Sequence, residues 1–292
     1  MNDKRKKIIS IYKIGIIISI FSSIIIFAIF RFKLPFLLIT ILCFGILITS
    51  RIANRVKLEL SNDYNDKIVS EALKTKIDNL TYNHKLGIDK KEVKESKVID
   101  LKSKYISNNL FTGNYKNANF KQANIEIEEL VSHFGPQDVI DTFVTVFTGL
   151  LVIYEFENKF NDSLILCQKG FKNFHLSKIF NKVKYSKVST CDDKFNNNFI
   201  VYASSKECVS YILNYKIIEI INKIVEDDCK YLICILDNKI YIYTMGNPYK
   251  VDISKEIEDE NIQEYKDYIA NQCNLIDELF RIYWHEENRQ KI

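Results

Sequence analysis

IGIIISIFSSIIIFAIF, residues 14–30, is followed almost at once by LPFLLITILCFGILITS, residues 34–50, and neither run holds a charged residue. A bilayer core about 30 Å thick takes roughly 17–25 helical residues to cross. The first run can borrow the mostly apolar stretch 8–12, with Lys13 carrying its ammonium out to the headgroups. Pro35 opens the second run, where its fixed φ and missing N–H suit a first helical turn. The expectation is a two-helix transmembrane hairpin, with helices at about 11–30 and 34–50 joined by Arg31-Phe32-Lys33. A cleavable signal peptide would be followed by a small-residue cleavage site and soluble sequence, and here a second apolar run follows instead. A shallow hairpin in one leaflet is the alternative that the short runs leave open.

Lys4, Arg5, Lys6, Lys7 and Lys13 precede the hairpin and Arg51, Arg55 and Lys57 follow it, against Arg31 and Lys33 in the turn. The positive-inside bias then puts both termini in the cytoplasm of a multi-pass protein of the cell membrane.

The formal net charge of +4 hides a split, because residues 1–57 hold ten Lys/Arg and one acid. The remainder is mildly acidic, which argues against a general nucleic-acid binder. Seven cysteines, scattered and without a C-x-x-C pair, fit a reducing compartment better than a disulfide framework.

Beyond the hairpin (1–57) we expect a helical connector (58–103) and a cytoplasmic α+β domain (104–292), a largely antiparallel sheet with flanking helices. Apolar residues from Ile68 to Leu80 fall at helical spacing, predicting a helix over Asp63–Leu80, as a stalk or packed on the domain. A shorter helix is expected near Lys90–Ile99. Ala123–Leu130 alternates apolar and acidic residues as a half-buried strand does. Phe143–Phe156, rich in β-branched and aromatic residues, suits a central strand, and 164–167 and 199–202 read similarly. Ser204 and Glu207 have the spacing of a capping box, opening a helix toward Ile224. Tyr231–Leu236 and Lys239–Thr244 flank Asp237-Asn238 as a hairpin. A final helix runs from about Glu260 to Trp284. Its helices are expected on one side of the sheet.

Four stretches together, Gly113–Leu130, Phe147–Leu166, Phe195–Asn214 and Asp237–Tyr243, resemble a bacterial family of membrane proteins, domain of unknown function number 3137. Ala123-Asn124, Asn161 and Asn214-Tyr215 depart from its pattern, all in or near turns. The resemblance implies a membrane-anchored cytoplasmic domain and carries over no catalytic residue. Some members look like genomic neighbours of LemA-type membrane proteins, which implies a membrane protein partner of that kind.

No phosphate-cradling glycine loop, H-E-x-x-H or G-x-S-x-G motif occurs. The four histidines lie far apart in sequence, and neither a metal nor another cofactor is expected. Asp192-Asp193 and Asp227-Asp228 read as solvated turns, since acid–base work needs convergent groups. One segment stands out. Residues 163–191 contain no acid but hold Lys169, Lys172, Lys178, Lys182, Lys184 and Lys187, interleaved with Phe171, Phe174, Phe180 and Tyr185. The readings are a solvated basic face, a contact for anionic lipid headgroups, and a nucleic-acid contact, the last opposed by the acidity of the rest of the domain.

Two functions fit. One is a membrane-anchored binding or scaffold module, with the lipid bilayer and a membrane protein as partners. The other is a membrane-tethered enzyme with an unfamiliar site, acting on a lipid or peptide.

Overall fold

The computed structural model describes the chain apart from residues 1, 31–34, 98–103, 135–138, 172–184, 226–228, 247–258 and 290–292; inside the helices and strands further side chains, 22–30, 35–42 and 284–289 among them, are also outside the description. It divides into two units, Met1–Val69 with Val251–Asn261, and Ser70–Lys250 with Ile262–Ile292.

The first unit is built on helices α1 (Asn2–Phe30) and α2 (Pro35–Tyr64), the latter running into a π-helical turn at Asn65–Val69. The helices meet through small residues. A Cβ placed on Gly45 would stand 2.4 Å from the Ser19 hydroxyl. Gly15 faces Thr49 in the same way. Each hydroxyl is satisfied within its own helix: Ser19 donates to the Gly15 carbonyl (2.8 Å) and Thr49 to the Gly45 carbonyl (2.7 Å). Ser19 is buried, while Ile14, Ile16, Ile17, Ile18, Ile20 and Phe21 on the same helix are exposed. Among the described residues no helix is long and apolar enough to cross a membrane. The two crossings expected from the sequence are therefore not shown; the connecting turn 31–34 and most of both apolar runs lie outside the described side chains.

The second unit is a nine-stranded sheet whose order is β1-β2-β3-β4-β9-β8-β5-β7-β6. Its strands are β1 (Asp78–Asn83), β2 (Lys104–Tyr115), β3 (Ala118–Phe134), β4 (Val139–Phe156), β5 (Leu164–Gln168), β6 (Ser186–Val188), β7 (Phe199–Ala203), β8 (Lys230–Leu236) and β9 (Lys239–Met245). Every pairing between these strands is antiparallel. Two turns pass through positive φ, at Lys116 (50°) between β2 and β3 and at Asp237 (53°) between β8 and β9, and of the two aspartate is the residue that tolerates it well. Where β4 meets β9, a side chain at Gly149 would lie 1.9 Å from the Thr244 carbonyl, so only glycine fits. Val146 is an extra residue opposite the step from Ile127 to Glu128, a bulge beyond which β3 and β4 run on as a two-stranded ribbon.

Helices cover both faces, not one. Tyr243 and Thr244 are neighbours on β9 and point to opposite sides. The Tyr243 hydroxyl pairs with Ser96 (2.7 Å), at the end of α4 (Lys90–Glu95). The Thr244 hydroxyl pairs with Tyr268 (3.1 Å) of α8 (Asp259–Arg289). On the α4 side a core gathers Val93, Ala123, Ile125, Leu151, Ile165, Cys234 and Tyr241. On the other, α8 lies across the sheet with Tyr265, Ile269, Cys273 and Ile276 buried. Beside it run α6 (Lys206–Ile212) and α7 (Tyr215–Ile224), with α7 tied to α8 by Lys216 and Glu278. A short α5 (Asp193–Asn198) precedes β7.

Three local expectations are corrected. The helix expected over Asp63–Leu80 ends with α3 (Ser70–Lys74), and Asp78–Asn83 becomes edge strand β1 because β2 offers it a ladder. The cap before α6 is Ser205, whose hydroxyl accepts the Cys208 N–H, and Ser204 instead bonds Asp162 and the Ser163 N–H across the loop. The single helix expected up to Ile224 is broken at Leu213, and Asn214 caps a second one through the Ile217 N–H.

Candidate binding cleft

At the end of the sheet where the β2–β3 turn, the β4–β5 loop and the β8–β9 turn converge, the second unit carries a cleft of about 770 Å³. Six asparagines line it, Asn114, Asn117, Asn119, Asn158, Asn161 and Asn238. They arrive from separate segments through the sheet register: Asn114 pairs across to Asn119, and Asn119 to Glu155. The loop after β4 is pinned to the β8–β9 turn. The Phe156 N–H donates to the Asn238 carbonyl (2.8 Å), the Asn238 amide returns a bond to the Phe156 carbonyl (2.7 Å), and the Phe160 N–H reaches the Asp237 carbonyl (2.6 Å).

The floor is aromatic. Phe156 stacks on Phe280 of α8 (5.7 Å between centroids) and meets Phe160 edge-on (5.4 Å), while Phe160 lies 4.4 Å from Tyr283. A second cavity of about 350 Å³ shares Lys116, Asn117, Phe156 and Phe280 with the first and adds Tyr115, Ile276, Asp277, Glu278 and Arg281.

Two of the charges that line the cleft, Lys116 and Glu155, are already engaged. Lys116 pairs with Asp277 at 2.6 Å, and the Tyr115 phenol donates to the same carboxylate at 2.8 Å. Burial and that hydrogen bond push the Tyr115 phenol well above its usual range, so it stays protonated as a donor. Glu155 meets Lys239 at 3.4 Å, and Lys239 also binds Glu95 at 2.7 Å. Desolvation works against the Lys239 ammonium, yet Glu95, Glu155 and Glu92 outweigh it and raise its pKa. Glu92 bonds Lys121 as well, so α4 is held to β3 and β9 by its acids. Among the described residues no group of three or more His, Cys, Asp or Glu could hold a metal ion.

The basic aromatic segment is only partly placed. Lys169, after β5, and Lys187, on β6, are exposed; Lys172, Lys178, Lys182 and Lys184 lie outside the described residues. Phe171 is buried in the core on the α4 side, and Tyr185 packs against that core. Sequence reasoning missed the cleft, because its asparagines are spread from 114 to 238 and only the sheet register unites them. It also missed the Gly15/Ser19 and Gly45/Thr49 pairs, whose four-residue spacing is visible in the sequence.

Residues 145–281 match the model of a family described as a protein of unknown function (DUF3137). Three of the four stretches that suggested this family fall inside the match, and Gly113–Leu130 precedes it. The matched span takes in β4 from Thr145, the pinned loop and α8 as far as Arg281, and so much of the cleft wall. No curated protein matches the chain. Among solved structures, the mycobacterial trehalose monomycolate transport factor A, TtfA, is similar at 11% identity and a TM-score of 0.39, over 74% of this chain and 95% of that one.

Proposed function

We propose that the chain is a membrane-anchored binding or scaffold module, with α1 and α2 in the bilayer and both termini on the cytoplasmic side. The observation that carries this reading is the inverted polarity of the helix pair. Ser19 is 7% exposed at the seam, whereas Ile16, Phe21 and Leu47 are 53%, 62% and 60% exposed on the outside. In water a helix pair buries its large apolar residues and solvates its hydroxyls. In lipid the tails are as apolar as isoleucine, so small residues occupy the interface and large apolar ones face outward. The uncharged runs 14–30 and 34–50 and the flanking Lys and Arg residues support the same reading. Exposed Lys169 and Lys187 would then supply charge toward anionic headgroups.

The test is extraction of native membranes. The full chain is expected to stay in the membrane fraction at alkaline pH and high salt and to leave it only with detergent. Release by carbonate alone would overturn the reading.

A further inference from the structure

We propose that the cleft at the end of the sheet binds an extended, uncharged peptide segment of a partner protein, with one apolar side chain seated in the smaller cavity. This rests on the reading of the chain as a binding module and names the ligand of that module. Three features argue for it.

The first is the chemistry of the lining. A side-chain amide carries both donors and an acceptor, the same complement as a peptide group. Amides brought together from the β2–β3 turn, the β4–β5 loop and the β8–β9 turn can satisfy successive main-chain groups of a bound strand. The second is the charge state. Lys116 is paired with Asp277, and Glu155 with Lys239. Glu157 and Lys159, exposed on the same loop, oppose one another in sign. These pairs are partly exposed, so each is worth little on its own, but they leave Lys116 and Glu155 no unmatched charge to offer a ligand, and a neutral ligand leaves them intact. The third is the two-part shape. The larger cavity falls in the usual range of ligand sites. The smaller one branches from it over Phe156 and Phe280, with Tyr115 and Ile276 beside them, and the charges that also line it, Lys116, Asp277, Glu278 and Arg281, are all ion-paired. A polymer with a polar main chain and an apolar branch fits both; a compact polar molecule uses only the first.

The experiment uses the full chain in detergent micelles and a random twelve-residue peptide display library as probe. Selected peptides are expected to carry few charges and one recurrent apolar residue. Their affinity, read by fluorescence anisotropy, should fall at least tenfold in the double variant Asn119→Asp/Asn158→Asp. Both positions are exposed and the exchange is nearly isosteric, so the melting temperature should hold. Lys194→Glu, on α5 and outside both cavities, should leave the affinity unchanged. A library that yields no binder, or binders indifferent to the double variant, would overturn the proposal. Peptide binding by a chain that carbonate strips from membranes would sink the anchor and leave the cleft assignment standing; a firmly anchored chain without such binding gives the reverse.

Discussion

A Cβ added to Gly15 would stand 2.4 Å from both Cγ2 and Oγ1 of Thr49, so the two helices approach at this point as closely as glycine permits. Replacing Gly15 with leucine should part them. Overpacking costs typically 1–3 kcal/mol, and the loss should appear as a lower melting temperature in micelles. Thr49→Ala in the same background should restore part of it. An unchanged melting temperature for Gly15→Leu alone would show that the helices do not meet here.

The two exposed cysteines provide a test of the surroundings of the helix pair. Cys191 and Cys43 are both exposed. If lipid covers the helix pair as proposed, a water-soluble maleimide should label Cys191 in native membranes and spare Cys43. Detergent that admits water to the helices should bring Cys43 into reach. Equal labelling of both in intact membranes would contradict the anchor. Cys167, Cys234 and Cys273 should stay silent until the chain is denatured, since burial pushes the Cys167 thiol up to about 12, Cys273 to about 11 and Cys234 higher than its usual value.

Gly149→Ala should be among the most damaging single exchanges in the sheet. The new methyl would sit 1.9 Å from the Thr244 carbonyl and force β4 from β9. We expect a loss of about 3 kcal/mol, at the upper end for overpacking, corresponding to a melting temperature lower by several degrees.

Acid should loosen α8 from α7. Desolvation alone would raise the Glu278 pKa, but hydrogen bonds from Lys216 and Arg281 lower it overall. A carboxylate with a depressed folded pKa contributes stability above its unfolded value, near 4.3, and that contribution disappears as pH falls through the lower folded value. Glu278→Gln should therefore flatten the decline in stability below about pH 4.5, measured by urea denaturation across pH 3–6. A decline of the same steepness in the variant would assign the acid sensitivity elsewhere.

Ser205→Ala and Asn214→Ala each remove a helix cap and should each cost about 1 kcal/mol. Circular dichroism melts of the two variants and the double variant would test whether α6 and α7 are separate helices, as the costs should then come close to adding.

Most strands were legible in the sequence, because alternation in Ala123–Leu130 and β-branched density in Phe143–Phe156 report burial directly. The Asp237-Asn238 hairpin was legible from its turn chemistry. The helix expected through Leu80 failed because Ile77, which fits a helical stripe, is buried just before the chain enters β1. Periodicity alone does not register a neighbouring strand. Ser204 has the capping-box spacing to Glu207 and Ser205 does not, yet Ser205 caps the Cys208 N–H while Ser204 turns to the Ser163 N–H, a choice that only the hydrogen bonds reveal. Helices on both faces followed from which side of the sheet α4 chose, and that choice depends on Val93 joining a core gathered from distant strands and on Ser96 meeting Tyr243, 147 positions away. The cleft was illegible for the same reason.

The outermost strands of the sheet have a consequence for life at high density. A nine-stranded antiparallel sheet presents two open rims, each a template on which another copy could lengthen the ladder. Here one rim is β1, six residues with an irregular register and Asn79 at positive φ, and the other is β6, only three residues long. Neither is straight or long enough to zip neighbouring molecules together. At its two outermost strands the sheet therefore offers a neighbouring copy little ladder to lengthen.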